Sequence, residues 1–171
     1  MSEPGAKVTA MAVAATSPMI TQPESPQCEV ALELIDDHFP LLLVRWAGRL
    51  QAQHVLELIR FFDIHGAVAA REEQRLVHIL DAREAALPNS LVRDMLVDWL
   101  SDRPRSNVRG KPRSYVIATD PLIRGVVASL KWATGRGEGI CVVKTLDQAI
   151  AGARETFEAS GMEVPEILRA G

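Results

Sequence analysis

Three times between residues 75 and 160, a short apolar run is followed by a stretch with helical spacing. That alternation leaves the chain few folds to choose from. The runs at 75–80, 114–119 and 140–144 are rich in Val, Ile and Leu and have strand length. The stretch at 88–101 starts at Pro88 or Asn89, with Leu91, Met95 and Trp99 on one face. The next is capped by Asp120 with Pro121 in its first turn, and Ile123, Val127 and Leu130 face inward. The last is capped by Thr145, carries Leu146, Ile150, Ala153 and Phe157 at helical spacing, and ends at Gly161. Strand–helix units in succession imply parallel strands joined by right-handed crossovers.

The chain ahead of these units adds a different element. Val30, Leu32 and Leu34 alternate with Glu29, Ala31 and Glu33, the period of a half-buried strand. Asp36, Asp37 and His38 read as a polar turn, and 41–46 as a second strand closing at Gly48. The pair predicts an antiparallel hairpin. Residues 50–73 predict a long helix with two apolar stripes, Val55–Ile59–Phe62 and Leu58–Phe61–Ile64–Val68. One stripe packs on the sheet; the other needs cover, from the chain itself or from a partner such as a second copy. The predicted fold class is α/β, in the order β-β-α-β-α-β-α-β-α, with a mixed sheet and helices packed on it.

Residues 1–26 hold Pro4, Pro18, Pro23 and Pro26 among Ser, Thr and Ala, with no stable period. Such a segment buries too little apolar surface to offset its ordering entropy, and it reads as a disordered tail. The mildly apolar run at 8–15 follows Lys7 but is interrupted by Thr9 and lacks a Leu-rich centre, so it is not read as a secretory signal. No apolar run approaches the roughly 18 residues of a membrane span, and the expected location is the cytoplasm. The net charge of −3 argues against nucleic acid and against an electrostatic hold on anionic lipid.

Nothing in the chain reads as a catalytic set. Cys28 and Cys141 are far apart in apolar stretches and read as reduced core residues. CxxC, HxxxH and GxSxG are absent. His54 and His65 lie on the first helix without a Cys or carboxylate at ligand spacing, and His78 alternates with Val77 and Ile79, away from their face. The Gly-rich GRGEG at 135–139 precedes a strand, whereas a phosphate-cradling loop follows one. Trp46, Trp99 and Trp132 lie on core-facing patterns, which argues against a base-stacking platform. No enzyme activity, cofactor or metal is expected. Arg103, Arg105, Arg109, Lys111 and Arg113 fall in a basic loop, 102–113, that also holds two prolines and Gly110. It is either a contact for an anion or acidic partner, or a solvated loop.

Three passages resemble the STAS family (sulfate transporter and anti-sigma factor antagonist), and more closely its bacterial STAS-like, anti-sigma factor antagonist-like branch, which has some fold kinship to CRAL-TRIO (Sec14-like) lipid-binding domains. They are FPLLLVRWAGRL at 39–50, LVHILDAREA at 76–85, and the block from YVIATDPLIRGVVASLKW at 115–132 to ICVVKTLDQAIAGA at 140–153. The likeness spans about residues 28–160 and implies a STAS-like domain at 27–161 with a short tail at 162–171. In the family's classical antagonists, a strand ending in Asp leads to an Asp-Ser pair at a helix start, and a partner kinase phosphorylates that serine. The resemblance puts the strand end on Asp81 and the pair on Asn89 and Ser90. Here Asn89 replaces the acid, and Leu91-Val92 stands where Ser-Gly normally follows. A switch at Ser90 and a plain helix cap at Asn89 or Ser90 both remain open. The implied function is a non-catalytic regulatory or adaptor domain that binds another protein, in partner-switching signalling, with docking at the Asp81–Ser90 loop. The alternative is a carrier of a small lipophilic ligand, which an apolar cavity under the third helix would favour.

Overall fold

A computed structural model describes residues 30–102, 111–135 and 137–169. The elements follow the predicted order: β1 (Ala31–His38), β2 (Leu41–Gly48), α1 (Ala52–Arg71), β3 (Val77–Ala85), α2 (Ser90–Asp102), β4 (Arg113–Ile117), α3 (Pro121–Thr134), β5 (Ile140–Val143) and α4 (Leu146–Ala159). The strands form one five-stranded sheet in the order β1-β2-β3-β4-β5. β1 and β2 are antiparallel, and β2 through β5 are parallel.

Alternation along the strands divides the core. Leu41, Val77, Ile79, Tyr115 and Ile117 point to the face covered by Ala149, Ala153 and Phe157 of α4. Leu42, Val44 and Leu76 meet Leu58 and Phe62 of α1, Leu50 and Val55 meet Val92 and Leu96 of α2, and Val116 and Ala118 meet Ile123 of α3. Helices α1, α2 and α3 thus share one face and α4 has the other. His78 falls on the α1 face as its alternation predicts: its ring lies 4.7 Å from that of Phe62, and Nδ1 is 2.9 Å from Ser114 Oγ.

The predicted caps form. Asp120 accepts from the Leu122 N–H at 2.7 Å, and Thr145 Oγ1 from the Gln148 N–H at 3.2 Å. Gly135, left-handed at φ 63°, ends α3. The first turn lies later than predicted. β1 continues through Asp36, Asp37 and His38, and Phe39–Pro40 reverse the chain. Asp36 stays in the strand and reaches across to α1, where its carboxylate meets His65 Nε2 at 2.8 Å.

Helical phase corrects three further assignments. In α1 the buried stripe is Val55, Leu58, Phe62 and Ala69, while Ile64 points outward. In α2 the fully buried residues are Val92 and Leu96; Met95 and Trp99 of the predicted face are half-buried against them, and Leu91 is exposed. Trp132 is 89% exposed. Two residues beyond inward-facing Leu130 means about 200° of helical rotation, which carries the indole to the far side.

α4 covers its face by close approach. A Cβ at Gly152 would stand 2.3 Å from the Tyr115 ring, so only glycine fits. The Tyr115 hydroxyl donates to the Gly152 carbonyl at 2.5 Å and lies 2.8 Å from Thr156 Oγ1. The segment after Gly161 packs onto the same face. Leu168 is fully buried beside Leu41 and Phe157, and the Arg154 guanidinium donates to the Leu168 carbonyl. Residues set apart from the domain as a tail thus join its core.

Gly152→Ala is expected to lower unfolding free energy by about 1–3 kcal/mol through overpacking. Leu168→Ala is expected to cost about 2–5 kcal/mol, as for a core leucine. Urea unfolding of both variants checks this; a neutral Leu168→Ala would return the last segment to the status of a tail.

Candidate functional site

The residues singled out by the resemblance lie where β3 and the β3–α2 loop leave the sheet. Asp81 does not end its strand. Arg45 of β2 pairs with Asp81, but Ala47 pairs with Glu84, so β3 carries one extra residue, a bulge at Ala82–Arg83. The bulge resets the alternation: Ala82 is buried, and Ala85 packs against the same cluster three residues later.

Asp81 closes over this bulge. Its Oδ1 accepts from the Arg83 Nε at 2.9 Å and from the Arg83 backbone N–H at 3.2 Å, and its Oδ2 accepts from Nη2 at 2.6 Å. The side-chain bond from Arg83 is the main reason the Asp81 carboxyl titrates below its ordinary value; partial burial opposes the shift. A carboxylate held in its charged form by a forked partner braces the backbone and is a poor proton acceptor. Arg45 and Glu84 add a cross-strand pair at 3.2 Å, but both side chains are largely in solvent and the pair contributes little.

Beyond the bulge, the Ala86 N–H donates to the Gly48 carbonyl at 2.9 Å and ties the loop to β2. Asn89 is the cap of α2: its Oδ1 accepts from the Val92 N–H at 2.9 Å, and its carbonyl accepts from the Arg93 N–H. Ser90 follows as the first helical residue and is exposed. Leu87 and Leu91, on either side of the cap, are also exposed. The predicted face Leu91–Met95–Trp99 and the buried Val92–Leu96 stripe lie about 100° apart, and spacing alone does not choose between them. Leu56 in α1 and Leu122 in α3 stand outward near the starts of the neighbouring helices.

Of the basic loop's cations only Lys111 and Arg113 are among the described residues, and neither lies at this site. Arg103, Arg105 and Arg109 lie outside the described residues. Lys111 and Arg113 stand at the opposite end of the sheet, where β4 begins. There Lys111 Nζ is 3.1 Å from Glu138 Oε2, and Arg113 donates to the Glu138 carbonyl at 2.5 Å. Arg113 thus ties β4 to the turn before β5, while the Lys111–Glu138 pair is largely in solvent and contributes little.

The surface carries open clefts. One of about 840 Å³, between the β1–β2 turn and the C-terminal segment, has a mixed lining in which Phe39, Met162 and Val164 stand beside Glu163, Glu166 and Arg169. Another of about 500 Å³ runs between α3 and β5, lined by Pro121, Gly125, Ala128 and Val142 with Arg124 and Lys144. Neither is an enclosed apolar chamber of the kind a lipophilic cargo requires. Among the described residues, no helix is long and apolar enough to cross a membrane, and no cluster of three or more His, Cys, Asp or Glu is placed to hold a metal ion.

Two measurements separate bracing from function here. Asn89→Ala should cost about 1 kcal/mol and Ser90→Ala close to nothing, because only Asn89 caps the helix. Asp81 has a depressed folded-state pKa, so its stabilisation is full above the ordinary carboxylate range, near 4, and is lost as pH falls through the lower folded value. The stability gap between wild type and Asp81→Asn in urea melts should therefore be constant near neutrality and shrink below about pH 4. A gap independent of pH would show that the carboxylate charge is not what holds the bulge.

No protein-family model and no curated protein matches the chain. Among solved structures it is similar to the crystal structure of an anti-sigma factor antagonist from Mycobacterium paratuberculosis, with a TM-score of 0.48 and 18% identity over 76% of this chain and 97% of that one. The likeness brings no residue role to this chain.

Proposed function

We propose that the chain is a non-catalytic regulatory or adaptor domain that binds another protein through the end of the sheet where α1, α2 and α3 begin. The observation that carries this reading is the row of outward leucines at that end. Leu91 is 57% exposed and Leu122 60%, and Leu56 and Leu87 stand exposed near them. Each leucine sits on or beside a helix start that is fixed by a cap or packed strand end, so the apolar groups are presented by a rigid frame. Apolar side chains near charged pairs such as Asp81–Arg83 and Arg45–Glu84 suit a docking face with an apolar centre and a polar rim. The residue-level resemblance to STAS domains stated above points to the same loop.

Ser90 supplies the switch in this reading. It is exposed on the first turn of α2, between Leu87 and Leu91. A phosphate there would add about −1.5 to −2 charges next to the leucines and beside the free N–H groups of the helix start. Charge brought into an apolar contact opposes docking.

The test is an affinity capture with the full chain as bait, comparing wild type, Leu91→Asp and Ser90→Asp, each checked for an unchanged thermal midpoint. A protein retained by wild type and reduced at least about tenfold by Leu91→Asp supports docking at this end. Loss in Ser90→Asp as well supports the switch; retention there leaves an adaptor without one. If Leu91→Asp retains every protein that wild type retains, the docking face is not here.

A further inference from the structure

β5 is the open edge of the sheet on the side of α3, and apart from its shortness, four residues, it carries none of the devices that protect an edge. β1, at the other edge, has Glu33, Asp36 and Asp37 along it and a register break between Ile35 and His38. β5 is Ile140-Cys141-Val142-Val143: uncharged and only half-buried throughout. Its free backbone groups can be assigned. The Ala118 N–H donates to the Val143 carbonyl at 3.1 Å, so Val143 faces β4. Peptide groups alternate along a strand, so Ile140 and Val142 turn their N–H and C=O groups off the sheet. The next outward N–H, that of Lys144, is already taken by Gln148 Oε1 at 2.9 Å.

Above this edge, α3 exposes a stripe without charge. Pro121, Gly125, Ala128 and Trp132 recur at spacings of four, three and four and are all exposed. The first three line the cleft against Val142. A Cβ at Gly125 would meet nothing within 4 Å.

We propose that two copies of the chain join antiparallel along β5, about a two-fold axis at Cys141, to make one continuous sheet with the two α3 helices side by side. The strand permits a single register. Ile140 of each copy pairs with Val142 of the other, using the two outward residues and nothing else. Centring on Val142 would need the Lys144 N–H that Gln148 holds, and centring on Ile140 would need Glu138, which lies in the 3-10 turn Gly137–Gly139. The same register brings Lys144 of one copy to the turn that carries Glu138 of the other, opposite charges on both sides of the axis.

The helices fit the same symmetry. α3 lies over β4 and β5, with Ile123 and Val127 against Val116, Ile140 and Val142. With strands about 4.8 Å apart, α3 stands about 5 Å from the axis, and the two helices lie about 10 Å apart, a packing distance. Run antiparallel, Trp132 of one meets Pro121 of the other, and Gly125 meets Ala128: a large side chain set against small ones. Backbone, charge and helix surface are each complementary to themselves, which is why the occupant is a second copy of this chain. The dimer face adjoins the leucine row only at the first turn of α3, where Pro121 precedes Leu122, and Val142 and Trp132 lie outside that row, so variants at those two residues test the dimer independently of that reading.

The cysteine supplies the readout. The two Cys141 residues would form a non-hydrogen-bonded antiparallel pair, with Cα atoms about 4.5 Å apart, inside the range for a disulfide. The experiment is sedimentation velocity on the full chain with Cys28→Ser, over a concentration series, plus mild oxidation followed by non-reducing electrophoresis. Expected is a dimer that oxidation locks through Cys141, lost on Cys141→Ser. Val142→Pro removes an N–H that faces away from β4, and Trp132→Glu changes a solvent-exposed position; each should weaken the dimer about tenfold or more. If Val142→Pro fails to fold, Trp132→Glu decides. A monomer at every concentration with no cross-link, or a dimer indifferent to Trp132→Glu, overturns the proposal.

Discussion

The structure depends on the direction in which its crossovers run. β2, β3, β4 and β5 lie side by side in chain order, and right-handed connections that always step the same way place every intervening helix on the same face. α1, α2 and α3 therefore crowd one side, and the other side is left to α4 and the segment after it. One helix covers several strands only if it comes close. Ala149, Gly152 and Ala153 make α4 narrow where it meets the sheet, and Tyr115 fills the space that a larger residue at 152 would need. The Tyr115 hydroxyl, bonded to Gly152 and beside Thr156, keeps a buried polar atom satisfied at the point of closest contact.

The same arrangement sets out the surface. Three helices that begin at one end of one face bring their first turns together. Outward residues that would be scattered in another topology, Leu56, Leu91 and Leu122, end up along one rim. The bulge in β3 lies beside that rim. It carries β3 beyond its pairing with β4, whose last partner is Asp81, and lets Glu84 and Ala85 continue along β2 alone. Asp81 and Arg83 hold this irregular piece in shape, which makes Asp81 a support for the β3–α2 loop.

Local signals were legible before the structure. The alternation of β1, the apolar run of β2, the caps at Asp120 and Thr145 and the order of elements depend on residues within a turn or two of each other, and they stand as read. What depended on contacts from afar was not. Nothing near Asp81 says that β3 will continue along β2, because the bulge exists only in the pairing. Leu91 and Val92 are equally apolar, and which of them turns inward is decided by α1 and the sheet. Trp132 looks like core by composition, yet its phase relative to Leu130 places it outside. Leu168 carries no local mark of burial; its place is set by Leu41, far away in sequence. At the candidate site, Asn89 was one of two readable caps, whereas the leucine row required the three-dimensional order of the helices.

Chain-order pairing also bears on how the molecule reaches this state. Every strand bonds to the strand before or after it in sequence, so the sheet can extend one unit at a time, each unit closing a short loop. The cluster that brings Leu41 and Leu168 together is of another kind. It joins an early strand to the segment beyond α4 and closes the longest loop in the core, the closure that costs most in chain entropy. On loop-closure entropy alone, completion of this face of the sheet is expected late in folding.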